Sequence, residues 1–216
     1  MATTDYKFAG TVANVNDSGV DWTNPNNVKA TDDVFATMDA KDNSNYLRLT
    51  NFGFTSSDVP AGATVNGIEV VVKRKADQNG SNNYINDTKI FLRNGAAAQV
   101  GDNKASASKW PTSNTEVTYG GGADTWNASL AQTDIVDTDF GLDFEVNNAS
   151  AIASVDSIKI RITYTESGGG TTVSVGLESL SVSAYDPTIS ATNVSAAISK
   201  FKLRKNLEWV SVDISG

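Results

Sequence analysis

Carboxylates are the side chains with which this chain could do acid–base chemistry, because its 216 residues include no histidine and no cysteine. Thiol catalysis, disulfides and thiolate metal sites are therefore excluded, and the commonest general base is missing. Asp134, Asp137 and Asp139 form one acidic cluster. A second acidic group consists of Asp32, Asp33, Asp39 and Asp42.

The acidic clusters have two possible chemical uses. A pair of carboxyl groups flanking a cleft hydrolyses glycosides, and carboxylate oxygens bind calcium. The sequence has no twelve-residue calcium loop, and nothing distinguishes the Asp134 cluster from an ordinary acidic loop. We therefore expect no enzyme activity, no catalytic residue, no bound metal and no cofactor.

Aromatic residues in loop-like stretches are the second group that could bind a ligand. They are Trp22, Trp110, Tyr119 and Trp126. Aromatic rings can stack on sugars, so these four are candidate glycan-binding residues. Large aromatics more often serve packing, and for Trp22 we favour a cap over an open end of the core.

Overall charge and hydropathy limit the partners. The net charge of −8 argues against general binding of nucleic acid, which requires a basic surface. No apolar run approaches the roughly 20 residues that span a bilayer. The first residues lack a signal-peptide pattern, so we expect synthesis in the cytoplasm and no membrane partner.

Alternating apolar and polar residues predict the elements that position these groups. The region from Tyr46 to Lys75 predicts two strands around a turn at Pro60 and Gly62, and both strands are expected to lie centrally. Further strands are predicted over residues 33–39, 86–93, 116–119, 140–146 and 153–165, with one helical turn between 124 and 135. Residues 1 to about 30 read as polar and turn-rich. This pattern predicts an all-β fold, a jelly-roll-like antiparallel sandwich over residues 1–166.

Residues 167–216 form a second predicted region. The stretch from Ser167 to Gly170 has linker composition, and an extended segment follows. Spacings of three and four predict a short helix over residues 193–209. The only basic cluster of the chain lies here, as either a solvated face or a docking surface for an acidic neighbour, and apolar residues follow it. We predict that this C-terminal arm contacts other subunits through Lys200, Phe201, Lys202, Arg204, Leu207 and Trp209.

Several short motifs resemble one family. They include Trp22-x-Asn24-Pro25-Asn26, Val59-Pro60-Ala61-Gly62-Ala63-Thr64-Val65, Trp110-Pro111, Asp124-Thr125-Trp126 and Phe140-Gly141-Leu142. This pattern resembles a β-sandwich module of tailed-bacteriophage structural proteins, over roughly residues 8 to 165. The Pro-x-Gly-Ala-Thr-Val turn is also similar to jelly-roll modules of secreted carbohydrate-associated proteins.

The phage resemblance implies a role in the virion. We expect a non-enzymatic structural protein, either a capsid decoration (cement) protein or a head-fibre protein. Its partners would be the major capsid or tail protein and further copies of this chain. The alternative is a tail-fibre or receptor-binding module that recognises host glycan through the four aromatic residues. A glycan is therefore a further candidate partner.

Overall fold

The computed structural model describes residues 1–39, 42–167, 200–205 and 208–213. The chain divides into two compact units, Met1–Gly170 and Thr171–Gly216. The strands of the first unit are β1 (Ala2–Thr3), β2 (Lys7–Phe8), β3 (Thr11–Val15), β4 (Ala36–Asp39), β5 (Tyr46–Thr50), β6 (Thr64–Ala76), β7 (Tyr84–Arg93), β8 (Gln99–Val100), β9 (Thr115–Gly120), β10 (Gly141–Ala149) and β11 (Ile152–Thr165).

The first unit is a jelly-roll sandwich of two antiparallel sheets. One sheet has the order β4-β11-β6-β9, and the other has the order β3-β5-β10-β7-β8. From β4 to β11 the chain changes sheet at almost every step, as two interlocked Greek keys require. The predicted all-β sandwich is confirmed. The strands predicted between Tyr46 and Lys75 lie inside their sheets, since β6 pairs with β11 and β9, and β5 pairs with β3 and β10.

Strand β11 is the longest strand of the sandwich, and one of its edges is shared by three short segments. Successive parts of that edge pair with β4, with β2 and with β1. A single bridge between Lys29 and Ser157 lies between β4 and β2. Three segments from the first 39 residues thus pair with the same strand.

The core consists of the inward-facing residues of both sheets. On β11, Ile158, Ile160 and Ile162 are buried, as their alternation with polar residues predicts. On β5, Leu47 and Leu49 are buried in the same way. Each buried aliphatic side chain of this size contributes about 1.5–3 kcal/mol. The hydrophobic effect therefore fixes the register of these strands, since a shift by one residue would expose the row.

Three β-bulges interrupt the described sheets, and one of them makes Asn66 the extra residue of β6. Between β10 and β7, the partner changes from Lys89 to Asp87 in one step, which leaves Thr88 as the extra residue. Between β11 and β6, Asp156 is the extra residue. A bulge changes the direction of the side chains around it. The bulges at Thr88 and Asp156 lie beside buried charges described below.

Helical structure in the described part of the sandwich is limited to two short turns. A 3-10 helix spans Pro25–Val28, and α1 spans Gln132–Ile135. The helical turn predicted between residues 124 and 135 is confirmed. Among the described residues, the longest helix is far too short and polar to cross a membrane.

The second unit contains an antiparallel hairpin of β12 (Lys200–Lys205) and β13 (Glu208–Asp213). The helix predicted over residues 193–209 is wrong for its described part, because 200–205 and 208–209 are strands. Residues 193–199 lie outside the described part. The first 30 residues also differ from the sequence-based expectation, since three short strands occur there.

Candidate functional site

The predicted interface residues fall in the hairpin of the second unit. Lys200, Phe201, Lys202 and Arg204 belong to β12, Trp209 belongs to β13, and Leu207 lies outside the described residues. The register places Arg204 opposite Trp209 and Lys200 opposite Asp213. Four of the predicted contact residues are therefore on one strand rather than on a helix.

The four aromatic residues considered for glycan binding are core residues. Trp22 retains 2% of its surface, Tyr119 5%, and Trp110 and Trp126 none. Trp22 and Trp110 both stack near Phe144, at centroid distances of 6.2 and 6.1 Å. A sugar needs an exposed ring face, and these four side chains offer none. The packing role favoured for Trp22 agrees with its position.

A charged knot centred on Asp87 joins the two sheets. Asp87 on β7 accepts hydrogen bonds from Arg74 on β6, from Trp110 Nε1 at 2.8 Å and from the Tyr119 hydroxyl at 2.6 Å. The Arg74 guanidinium lies 4.4 Å from the centre of the Trp110 ring. Burial raises the pKa of Tyr119, which keeps its hydroxyl a donor. The knot uses two of the candidate aromatics to satisfy one buried carboxylate.

Asp143 on β10 is the centre of a second network. This network lies on the β3-β5-β10-β7-β8 sheet, on the face that points away from the core. Arg48 binds it in a bidentate manner, with Nε at 2.7 Å and Nη2 at 3.0 Å. Arg93 and Gln99 donate further hydrogen bonds at 3.0 and 2.7 Å. Asp143 is fully buried beneath these partners. The alternation in sequence predicts that Asp143 faces away from the core. It cannot predict that arginine and glutamine side chains bury the carboxylate there.

Glu145 is the next outward-facing residue of β10, and it is also buried. Its Oε2 atom lies 2.9 Å from Lys89 Nζ, and its Oε1 atom accepts a hydrogen bond from Thr88 at 2.9 Å. Lys89 also pairs with Asp17, which follows β3. Burial raises the pKa of Glu145, whereas the hydrogen bond from Lys89 lowers that of Asp17. The tendency to hold a proton is thus increased for Glu145 and decreased for Asp17.

Asp156, the bulge residue of β11, holds the loop that precedes β4. Its Oδ1 atom accepts the backbone N–H groups of Asp32 and Asp33 at 3.2 and 2.9 Å. Its Oδ2 atom binds Lys73 at 2.8 Å and Asn114 at 3.2 Å. Asp33 has φ 61°, a conformation that costs energy for a residue with a side chain and is here held by Asp156.

The acidic clusters identified from the sequence act mainly as turn caps. Asp134 accepts the N–H groups of Gly95 at 3.2 Å and Ala131 at 2.9 Å, and Asp137 accepts that of Asp139 at 2.8 Å. In the other cluster, Asp42 accepts the N–H of Asn43 at 2.8 Å. Over the described parts of the chain, no group of three or more acidic side chains is arranged to hold a metal ion.

Two sheet edges are candidate contact surfaces. Strand β9 pairs only with β6 along its length, and β3 pairs only with β5, as far as the described residues extend. An unpaired edge presents backbone N–H and C=O groups that another strand can bind. Thr115, Glu116 and Thr118 are exposed on β9.

Sequence reasoning missed the four buried carboxylates as structural centres. They are Asp87, Asp143, Glu145 and Asp156. A usable signal existed, because each of them lies within a predicted strand. Lys or Arg is present either in that strand or in a strand that pairs with it.

Comparisons with protein-family models, curated proteins and solved structures each found no match.

Proposed function

We propose that this chain is a non-enzymatic structural protein of a tailed-bacteriophage virion, either a capsid decoration protein or a head-fibre protein. The virion part of the proposal rests on the motif resemblance. The structural part rests on how the buried charges are used. Each of the four buried carboxylates binds at least one lysine or arginine, and together they tie strands of the sandwich to one another.

The use of these carboxylates carries the proposal because a catalytic acid must be reachable by a substrate. Asp87 is closed off by Arg74, Trp110 and Tyr119, and Asp143 by two arginines and a glutamine. Burying ionised groups costs free energy that these partners offset. Such groups favour a rigid scaffold, which is the property needed in a particle subunit.

The second unit supports the assembly role. Two-stranded hairpins are marginally stable in water, so a hairpin such as β12–β13 gains from a partner surface. Residues 1–170 contain 13 Lys and Arg against 21 Asp and Glu, so the whole net charge of −8 lies there. Strand β12 carries four basic residues in six. We propose that β12 is attracted to acidic surfaces of neighbouring subunits in the particle.

The direct test is the composition of purified particles made by a bacterium that carries the gene. Quantitative mass spectrometry should find this chain in the particles at a fixed ratio to the major capsid protein. Cryo-electron microscopy should then place it on the capsid. Absence from intact particles would refute a virion role, and a position at the tail tip would refute decoration in favour of a tail fibre.

A truncation tests the arm. A chain lacking residues 167–216 should retain the β-rich circular dichroism spectrum of the sandwich but should no longer bind particles that lack the protein. Full-length chain added to the same particles is the positive control. If the truncated chain binds equally well, the C-terminal arm is not the contact element.

A further inference from the structure

An amine and two carboxyl groups meet on the outer face of the sheet that contains β7 and β10. Lys89 Nζ donates a hydrogen bond to the Asp17 carboxylate and lies 2.9 Å from Glu145 Oε2. Asp17 and Glu145 therefore share Lys89 as a common ion-pair partner. The side chain of Glu145 is 2% exposed, whereas those of Lys89 and Asp17 retain 36% and 35%. A potential nucleophile, the amine of Lys89, therefore contacts one exposed and one buried carboxyl group.

We propose that Lys89 and Asp17 join in an intramolecular isopeptide bond, with Glu145 as the acid that moves the proton. The inference rests on the first unit alone and does not depend on the virion role. The bond would connect the residues after β3, an edge strand, to β7. In the sheet, β5 and β10 lie between these two strands.

The reaction is a condensation that needs no oxidant and no cofactor. A proton moves from the Lys89 ammonium to the Asp17 carboxylate, which gives a neutral amine and a neutral acid. The amine nitrogen attacks Asp17 Cγ to form a tetrahedral intermediate. Glu145 donates a proton to the departing hydroxyl group and takes one from the nitrogen. A C–N bond forms, a C–O bond breaks, one water leaves, and Glu145 ends in its starting form.

The site holds its reactants in place before any reaction. Asn45 Oδ1 accepts the backbone N–H groups of Asp17 and Gly19, each at 2.9 Å, which fixes the loop that carries Asp17. Hydrogen bonds from Thr88 and Asn43 occupy Oε1 of Glu145. The buried Oε2 atom faces Lys89 and has no hydrogen-bond partner of good geometry among the described residues. Fixed geometry of this kind replaces a bimolecular encounter and so lowers the barrier to reaction.

Protonation of the three groups is consistent with this chemistry. Burial raises the pKa of Glu145, so this group holds a proton at higher pH than an exposed glutamate does. Burial would lower the pKa of Lys89, but the neighbouring carboxyl groups of Asp17 and Glu145 outweigh this effect and raise it. The resting state is thus an ion pair of Lys89 with Asp17, placed beside Glu145. The reactive state has the same number of protons, and only their positions differ.

A second ion pair in the sandwich provides a matched control. Lys104 and Asp124 lie 2.9 Å apart, with side-chain exposures of 28% and 37%. Among the described residues, Asp124 is the only carboxylate within salt-bridge distance of Lys104. Because this pair lacks a neighbouring acid, it should remain an ordinary ion pair.

The test is the intact mass of the purified full-length chain, followed after folding. The expected mass is lower than the sequence mass by one water, and digestion should yield a branched peptide that joins Asp17 to Lys89. Lys89→Arg, which keeps an ion pair with Asp17, should have the full mass. Glu145→Gln should also have the full mass or lose water much more slowly. Lys104→Arg should lose water as the wild type does.

Three results would overturn the proposal. The first is a wild-type chain that is folded by circular dichroism and keeps the full mass after prolonged incubation. The second is loss of water in Lys89→Arg, which would place the dehydration elsewhere. The third is a cross-link that forms in Glu145→Gln at the wild-type rate, which would remove Glu145 from the reaction.

Discussion

At the scale of single residues, buried charged groups supplement the apolar packing of this protein. Asp87 binds Arg74, Trp110 and Tyr119, and Asp143 binds Arg48 and Arg93 in the interior of a cross-strand network. A hydrophobic row would hold the sheets together without fixing which strands face each other. A charge left without its partner is costly, so each pair selects one arrangement of strands.

Removing the carboxylate of Asp87 should be among the most damaging single changes. Asp87→Ala leaves the Arg74 guanidinium buried and unpaired, and we expect a loss of about 3–5 kcal/mol in the free energy of unfolding. Urea denaturation measures this loss. The control is Glu116→Ala, which removes a half-exposed partner of Lys159 and should cost about 0–1 kcal/mol. Equal losses for the two variants would mean that the knot is not a stabilising centre.

Tyr6 gives the fold a defined sensitivity to alkaline pH. Burial and the hydrogen bond to Glu69 raise its pKa to about 12 from the ordinary value of 10.0. A raised pKa means that the folded state favours the protonated phenol. The stabilisation is therefore complete below pH 10 and is lost as the pH rises towards 12.

Tyr6→Phe tests this dependence on pH. The difference in unfolding free energy between wild type and Tyr6→Phe should be constant below pH 10 and should shrink above it. Ultraviolet titration of tyrosinate gives the pKa directly. A difference that does not change between pH 9 and the onset of alkaline unfolding would contradict the assignment to Tyr6.

At the scale of elements, the long strands were predictable and the short ones were not. Strands β6 and β11 alternate over many residues, so one pattern dominates each of them. Strands β1 and β2 have two residues each and exist because β11 offers them an edge. That edge is a tertiary feature, which no local pattern in residues 1–8 encodes.

The sequence-based prediction for the C-terminal hairpin was wrong for a different reason. Spacings of three and four around Ala197 and Phe201 fit a helix, while Phe201, Leu203, Val210 and Val212 fit alternation. Over so few residues both periods match, and β-branched residues then favour the strand. The contact residues proposed from the sequence keep their places in the chain, but the element that carries them is different.

The turn after β9 should tolerate substitution at one glycine and not at its neighbour. Gly120 has φ +69°, and a Cβ atom there would lie 2.2 Å from Trp126 Nε1 and 2.3 Å from the Ile68 carbonyl oxygen. In the described part of the chain, no atom lies within 4 Å of such a Cβ position at Gly121. We expect Gly120→Ala to cost about 2 kcal/mol or more, and Gly121→Ala to stay within about 0.5 kcal/mol.

Thermal or urea unfolding of the two glycine variants gives both values. Trp126 is buried and donates to the Ile68 carbonyl, so its fluorescence should change in Gly120→Ala alone. Matching effects at both positions would show that the close approach of Trp126 does not restrict this turn.

At the scale of the whole molecule, charge is divided unevenly between the two units. Residues 171–216 contain four basic and four acidic residues, and all four basic ones are in β12. Long-range attraction to an acidic neighbour would raise the rate of association and would weaken with salt. This division is readable from the sequence alone, whereas the partner surface is not.

Neutralising β12 should therefore weaken assembly in a salt-dependent way. We expect replacement of its four basic residues by glutamine to reduce binding to particles most at low salt, and less as salt increases. Co-sedimentation with particles at several salt concentrations measures this. A control with Lys104→Gln and Lys109→Gln, which changes charge only in the sandwich, should bind as the wild type does. Equal binding by both variants would exclude an electrostatic role for β12.

The edge of β11 has a consequence for the order in which the protein can be made. Residues 2–8 and 36–39 need β11 as their pairing partner, and β11 ends at Thr165. During synthesis the amino-terminal segments must wait, without their native partner, until most of the chain has left the ribosome. Contacts of such long sequence separation slow folding and prolong the exposure of unpaired segments. Residues 2–8 are thus synthesised before β11 but gain their native pairing only after it.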